Sequence, residues 1–444
     1  MKRIFFISAI LALAFTFTAN VFAQKPKASW HGLFYIYNFF SKNTDFDKNT
    51  PDGNSYMYIH GDIQYNVDFG KGVSVYTMIG AWGQHGINPY WGTDLQGNPD
   101  PDVRILQGYL TVSHIFDTPF SIRMGKERLL YGDGTVFFDG GEDGALQAKV
   151  MYNKGPLDVD VFYSRLAQSH GIAYVGAATY NGYDVSKSDL YPGNINLMTV
   201  YGTYHAMNKK LNISGYGVIR PQNINKNQTS RPIWLGARVA AAPVSGLDLT
   251  GEYTLLRGKN DAASAKNYKG YALVGMADYT PSNSPLSFGG AYVAFSGDKT
   301  TTKDDNELYE SATNGPFTFG FYKDWPGFGP AHVMTTAYGF AGLDPGNLTM
   351  TNLNVLNAHA KFTAGPLAVR LDFYNYSRNW VPTNGHAAMG NEIAGLVTYN
   401  YRKTITFGFT GGLWMPGDYW KKDQSLGNNA GNALGGYFYF AKEF

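Results

Sequence analysis

The chain has 444 residues, no cysteine, and a net charge of +2 from 36 basic and 34 acidic side chains. Without cysteine there is no disulfide framework, thiolate metal centre or cysteine nucleophile, and the near-neutral charge excludes an electrostatic grip on nucleic acid. Only 16% of residues are charged, against about 25% in a soluble domain, while Tyr (33), Phe (29), Trp (8) and Gly (53) abound; that balance suits a barrel with one face in lipid and one in water.

The first residues read as a signal peptide spanning 1–23. Lys2 and Arg3 precede an apolar run from Ile4 to about Phe17, and the small residues Val21 and Ala23 mark cleavage after Ala23. The rest, 24–444, reads as one domain placed in the outer membrane of a Gram-negative type of cell. No later window approaches the roughly 20 apolar residues of a membrane helix. Alternation of apolar and polar residues predicts strands over 30–40, 56–67, 73–82, 103–115, 120–131, 145–153, 157–166, 195–205 and 211–220. It continues over 231–241, 247–256, 268–279, 287–295, 352–363, 367–376, 392–400, 405–413 and 434–444.

The connectors alternate in length. The short ones are 68–72, 115–119, 153–156, 206–210, 242–246, 280–285, 364–366 and 400–404. Between them fall the long ones, 41–55, 83–102, 132–144, 167–194, 221–230, 257–267, 296–351, 377–391 and 414–433. About eighteen strands with this rhythm define an all-β, transmembrane, antiparallel up-and-down β-barrel with short periplasmic turns and long extracellular loops. The segment 296–351 is the largest excursion: it either folds inward as a constriction, lies across the mouth, or stays on the surface. The final GGYFYFAKEF, with Phe438, Phe440 and Phe444 on one parity, resembles the signal read by the barrel-assembly machinery. Trp30, Tyr35, Trp234, Tyr399 and Tyr401 near strand ends suit an interfacial girdle in contact with lipid and lipopolysaccharide.

Parity assigns the charges. In 367–376, Leu367, Val369, Leu371 and Phe373 share one face, which leaves Arg370 and Asp372 on the other. An Arg or Lys facing lipid at mid-depth costs about 2–4 kcal/mol, so the charged face is the lumen. The same count turns His60 and Asp62, Arg220, Trp234 and Arg238, Glu252, and His359 and Lys361 inward. Lys149 and Glu392 join the interior set. In FSIRMGKERLLYGDG (120–134), Arg123 and Glu127 point inward. Lys126 and Arg128 fall on the lipid parity; a bulge at Gly125 is expected to turn Lys126 inward, and a place at the outer rim to keep Arg128 wet. Eighteen strands leave an aqueous channel, so the architecture points to a conduit.

The strings IRMGKERLLYGDG (122–134) and FFDGGEDGALQAKV (137–150) resemble the alginate export family of outer-membrane channels. So do WLGARVAAAPVSGLDLTGEYTLLRGK (234–259) and NEIAGLVTYNYRKTITFGFTGGLWMPGDYWKK (391–422). The resemblance implies an eighteen-stranded channel on the secretion side, whose inward Arg123, Lys126, Arg128, Lys149, Arg238 and Arg370 attract an anionic polysaccharide. A periplasmic export partner is a candidate to feed the pore, and the sequence leaves that open. Asp62, Glu127, Glu252, Asp372 and Glu392 share that lumen and either pair with the bases or line the path beside them.

The expected function is therefore passive export or diffusion of hydrophilic solutes, anionic ones foremost. The alternatives are a general diffusion porin and a receptor barrel plugged by its loops. An enzyme is not expected, since neither GxSxG nor HExxH occurs and His60 and His359 lack a matched serine at readable spacing. No cofactor and no metal is expected; the acidic loops 92–102 and 297–307 do not have the spacing of a calcium loop.

Overall fold

The computed structural model describes residues 26–43, 46–49, 53–85, 103–133, 135–136, 144–167, 179–180, 183–184, 195–225, 228–261, 267–299, 305–310, 312, 352–424 and 426–444. The stretch 1–23 expected to be a signal peptide, the 92–102 loop and most of 296–351 lie outside them. Eighteen strands build the wall. The first half comprises β1 (Lys27–Lys42), β2 (Gly53–Gly70), β3 (Val73–His85), β4 (Val103–Val112), β5 (Phe120–Glu127), β6 (Ala145–Lys154), β7 (Leu157–Ala167), β8 (Ile195–Ala206) and β9 (Leu211–Ile219). The second comprises β10 (Gln228–Ala241), β11 (Leu247–Asn260), β12 (Tyr271–Tyr279), β13 (Leu286–Phe295), β14 (Leu353–Ala364), β15 (Leu367–Ser377), β16 (Ala388–Tyr401), β17 (Ile405–Pro416) and β18 (Ala433–Glu443).

Each strand pairs antiparallel with the next, and β1 pairs with β18 from Leu33↔Glu443 to Lys42↔Leu434, which closes the barrel. No strand edge is left along the wall, as a membrane requires. At the seam, Gly32 and Phe444 exchange two backbone bonds of 2.7 and 3.0 Å. The Phe444 ring occupies the space where a side chain on Gly32 would stand, and it meets Trp30 edge-on at 6.0 Å. The C-terminal aromatic thus closes the last gap of the wall.

The short connectors are tight turns. Gly155 (φ 60°) and Gly365 (φ 57°) each precede a proline, and a two-residue turn with a positive first φ favours glycine at that first position. The alternation read from sequence is visible as exposure along β15: Leu371 61%, Asp372 3%, Phe373 43%, Tyr374 0%. Outward residues such as Ile63, Leu235, Val239, Leu249 and Ile393 form the same exposed apolar face on other strands, the face that lipid covers.

Several boundaries differ from the sequence reading. The strand expected to run to residue 131 ends at Glu127, where the chain turns into the lumen. The loop expected over 221–230 is largely a continuation of the β9–β10 hairpin, with Gln222 paired to Ser230 and Asn223 to Thr229. Gly125 does adopt a positive φ of 139°, yet the β4–β5 register runs unbroken through it, from Lys126↔Gly108 to Met124↔Leu110. The bulge sits one strand away, at Leu106, which has no partner between Met78↔Gln107 and Ile79↔Ile105. Lys126 consequently remains on the outer parity, with its ammonium donating to the Ile105 carbonyl at 2.9 Å near the long-loop rim. Of the supposed girdle, Trp30, Tyr399 and Tyr401 are exposed, but Tyr35 and Trp234 are interior: Tyr35 stacks on His60 at 4.5 Å and Trp234 is fully buried.

Candidate functional site

The candidate site is the barrel interior, and its main feature is that two connectors fold into it. The first is the run that leaves β5, residues 128–133 and 135–136. The second comprises residues 305–310 and 312 of the long excursion after β13. They meet against the wall formed by β8–β11.

Glu252 on β11 holds them there. Its two oxygens accept the Asp133 backbone N–H, the Thr135 hydroxyl (2.6 Å) and the Tyr216 hydroxyl of β9 (2.5 Å). Thr254, two residues on along the same face, meets Tyr216 at 2.6 Å and Thr135 at 3.0 Å. Gly132 allows the approach: its φ is 69°, and a Cβ there would lie 2.7 Å from Glu252 Oε1. Arg238 of β10 then clamps Asp133 from the side through Nε–Oδ2 (2.8 Å) and Nη2–Oδ1 (3.1 Å). A carboxylate bonded by several donors and a bidentate Arg–Asp pair are the strong forms of the hydrogen bond.

The second connector lies on the first. The Tyr309 hydroxyl donates to the Thr135 carbonyl at 2.7 Å, and the Ala312 N–H to the Val136 carbonyl at 2.9 Å. Arg220, at the end of β9, donates to the Ala312 carbonyl (3.0 Å) and pairs with Glu310 (3.5 Å). Trp234 of β10 donates through its indole to the Glu310 carbonyl at 2.7 Å. The inward constriction expected as one fate of the long excursion is therefore what its described part adopts. Tyr131 on Phe162 (5.1 Å) and Tyr201 on Tyr216 (5.4 Å, 7° between planes) fill the space between connector and wall.

Of the inward basic residues, Arg123, Lys149, Arg220, Arg238 and Arg370 are matched to acids. Arg123 and Lys149 both bind Glu127, Arg123 to Oε1 and Lys149 to Oε2 at 2.8 Å. Arg370 grips Asp372 with two bonds of 2.8 Å, and Asp372 also accepts from Asn357 (3.0 Å) and Tyr374 (3.2 Å). His359 is held between Asn357 (2.9 Å) and Asp278 (2.7 Å). Asp62 lies 3.6 Å from His60, and Glu392 is buried beside Tyr376 at 3.4 Å. Lys361 is exposed, next to the periplasmic turn 365–366 and opposite Arg370 in register. Arg128 is not at the rim: its N–H donates to Gln107 Oε1 at 3.4 Å and it borders an interior cavity, because the chain has already left the wall at Glu127.

The long loops form a second layer at the outer rim. Phe46 packs on Trp420 at 5.0 Å, the Lys48 N–H donates to the Asn429 carbonyl at 2.9 Å, and the Gly431 N–H to the Phe46 carbonyl at 2.7 Å. Asp423 accepts the His386 N–H (2.9 Å), meets His386 Nδ1 (2.6 Å) and pairs with Arg378 (3.1 Å). Burial opposes ionisation of Asp423, but the His386 bonds and Arg378 outweigh it and hold the carboxyl below its ordinary value.

Sequence reasoning missed Asp133, Thr135, Tyr309 and Glu310, which make the constriction, and the His386–Asp423 clasp. The one signal in reach was the YGDG turn string, whose glycine the approach to Glu252 requires.

No family model and no curated protein matches the sequence. Among solved structures, OccK9 (OpdG) of Pseudomonas aeruginosa is similar with a TM-score of 0.57 and 11% identity, over 94% of this chain and 98% of that one. OpdQ of Pseudomonas aeruginosa gives 0.55 and 11%, over 96% and 99%. A BenF-like porin from Pseudomonas fluorescens Pf-5 gives 0.55 and 10%, over 94% and 98%. At such identity the likeness establishes the fold alone: a closed eighteen-stranded antiparallel barrel. It also overturns the kinship with the alginate export family, since these neighbours are porin-type barrels and not exporters of that family. The physical ground is consistent, because Arg123, Lys149, Arg238 and Arg370, four of the bases assigned to an anionic path, are bonded to acids, and Lys126 lies outside the lumen.

Proposed function

We propose that this chain is a passive diffusion channel of the outer membrane for small hydrophilic solutes, narrowed at mid-barrel by its own connectors. The observation that carries the reading is the Glu252-centred constriction inside a wall whose interior is polar and charge-balanced. Balanced charge favours a general diffusion path over one reserved for polyanions. The similar BenF-like protein is a porin, which agrees with that role.

The test is single-channel recording in planar bilayers. Discrete conductance steps with weak ion selectivity are expected; a protein that inserts and never conducts refutes the channel. The inward connectors also favour a second reading, a barrel plugged by its loops. Silent wild type together with a conducting Glu252→Ala variant would select it.

A further inference from the structure

The lipid-facing side of β10 and β11 changes character in one step near the long-loop rim. On the outward parity, β10 is apolar from Ile233 to Ala241 and β11 from Leu247 to Leu255. Each run covers nine residues, about what a tilted strand needs to cross the hydrocarbon. The next outward positions are Arg231 on β10, then Arg257 and Lys259 on β11. Arg231 and Lys259 stand directly opposite in register, and Arg257 lies opposite Ile233. All three are exposed. Their neighbours on the other parity fix the direction: Leu256 is fully buried, and Ser230 and Asn260 both bond the interior Tyr268 hydroxyl, at 3.1 and 3.2 Å. The three bases therefore sit outside the wall, where the apolar band ends and the outer headgroup layer begins.

Like charges directly across a strand pair repel. Among the described residues no acid forms an ion pair with any of the three. Arg257 Nη1 donates to the carbonyls of Leu256 (2.7 Å) and Gly270 (3.1 Å), which orients the guanidinium and leaves its charge uncompensated. Asp261, the next residue of that parity, accepts the Thr229 hydroxyl at 2.9 Å, and the nearby Asp305 is held by Lys269 at 2.6 Å. Three bases against the one acid Asp261 leave an excess of about two positive charges, which complements the roughly −1.5 to −2 of a phosphate monoester.

We propose that Arg231, Arg257 and Lys259 bind the phosphate monoester headgroup of an outer-leaflet lipid. The arginines offer planar N–H forks that match phosphate oxygens, and Lys259 adds a point charge. The acyl chains of the same lipid run down the apolar wall over Leu235 and Tyr253, which are 51% and 45% exposed. A free phosphate would meet the bases alone, whereas a lipid meets bases and apolar wall together, and that continuity selects the lipid. The site lies outside the barrel and is independent of the channel reading.

Native mass spectrometry of the detergent-purified full chain tests it, with lipid A, which carries phosphate monoesters, as the probe. Lipid A is expected to bind at least tenfold more tightly than the same lipid stripped of phosphate, and millimolar inorganic phosphate to leave it bound. Arg231→Gln combined with Lys259→Gln is expected to remove that preference, and Lys259→Gln alone to reduce it several-fold. Both change exposed side chains, so the barrel should keep its heat-modifiable gel mobility. Lys209→Gln combined with Lys210→Gln makes the same charge change at a periplasmic turn and is expected to leave the preference intact. Equal binding of the dephosphorylated lipid, displacement by inorganic phosphate, indifference to Lys259→Gln, or an equal loss in the periplasmic variant overturns the proposal.

Discussion

Removing the Glu252 carboxylate is the sharpest perturbation the interior offers. Glu252→Ala deletes the acceptor of three bonds, from the Asp133 amide and the Thr135 and Tyr216 hydroxyls. Thr135 and Tyr216 keep Thr254 as a partner; the Asp133 N–H loses its acceptor. At roughly 1.5–3 kcal/mol for a bond to a charged group, and with the two hydroxyls partly compensated, the inward position of 128–136 loses about 3–6 kcal/mol. At 1.4 kcal/mol per decade, that is a shift of about 10²–10⁴ in the balance between inward and released connector. Tyr309 and Arg238 reach the same connector through Thr135 and Asp133, so their segments loosen with it. The expected readout is a larger and noisier single-channel current, with new protease cleavage in 128–136 on intact vesicles. Glu252→Gln keeps one acceptor oxygen and should fall between wild type and Ala. Unchanged conductance and unchanged cleavage in Glu252→Ala would refute the idea that this carboxylate holds the constriction.

Other outcomes follow from the same structure. Arg238→Ala and Arg370→Ala each leave a buried aspartate without its cation; reversal potentials under a salt gradient should move toward cation preference, and the temperature at which the barrel loses its heat-modifiable gel mobility should drop, in line with about 3–5 kcal/mol for a broken buried pair. Leu371→Arg places a charge on the lipid face and should cost about 2–4 kcal/mol in folding into vesicles, whereas a polar change at the neighbouring inward Asn357 should not carry that lipid-depth penalty. The Asp423 carboxyl is held below its unfolded value, so its contribution to the outer clasp is complete above that value, about 3.9, and is lost as pH falls through the lower folded one. Hydrogen exchange of 378–388 and 417–424 should therefore rise in acid, and Asp423→Asn should abolish that acid dependence; a variant that keeps the same acid response would dismiss Asp423 as its source.

The sequence by itself determined the wall. A period of two is a local property, and lipid penalises a misplaced charge, so the inward set Asp62, Arg238, Glu252, Arg370 and Asp372 could be read strand by strand. Turn chemistry at Gly155-Pro156 and Gly365-Pro366, and the alternation of short and long connectors, fixed the strand count and orientation. Only the tertiary structure decided what the charges do. Glu252 meets Asp133 across 119 residues and Tyr309 meets Thr135 across 174, separations that no periodicity encodes. The fates of Lys126 and Arg128 turned on the place of a bulge at Leu106 and on where β5 ends, both set by cross-strand register rather than by local alternation. The interior of a wide barrel is filled by connectors, and connectors choose their partners only once the wall has closed around them.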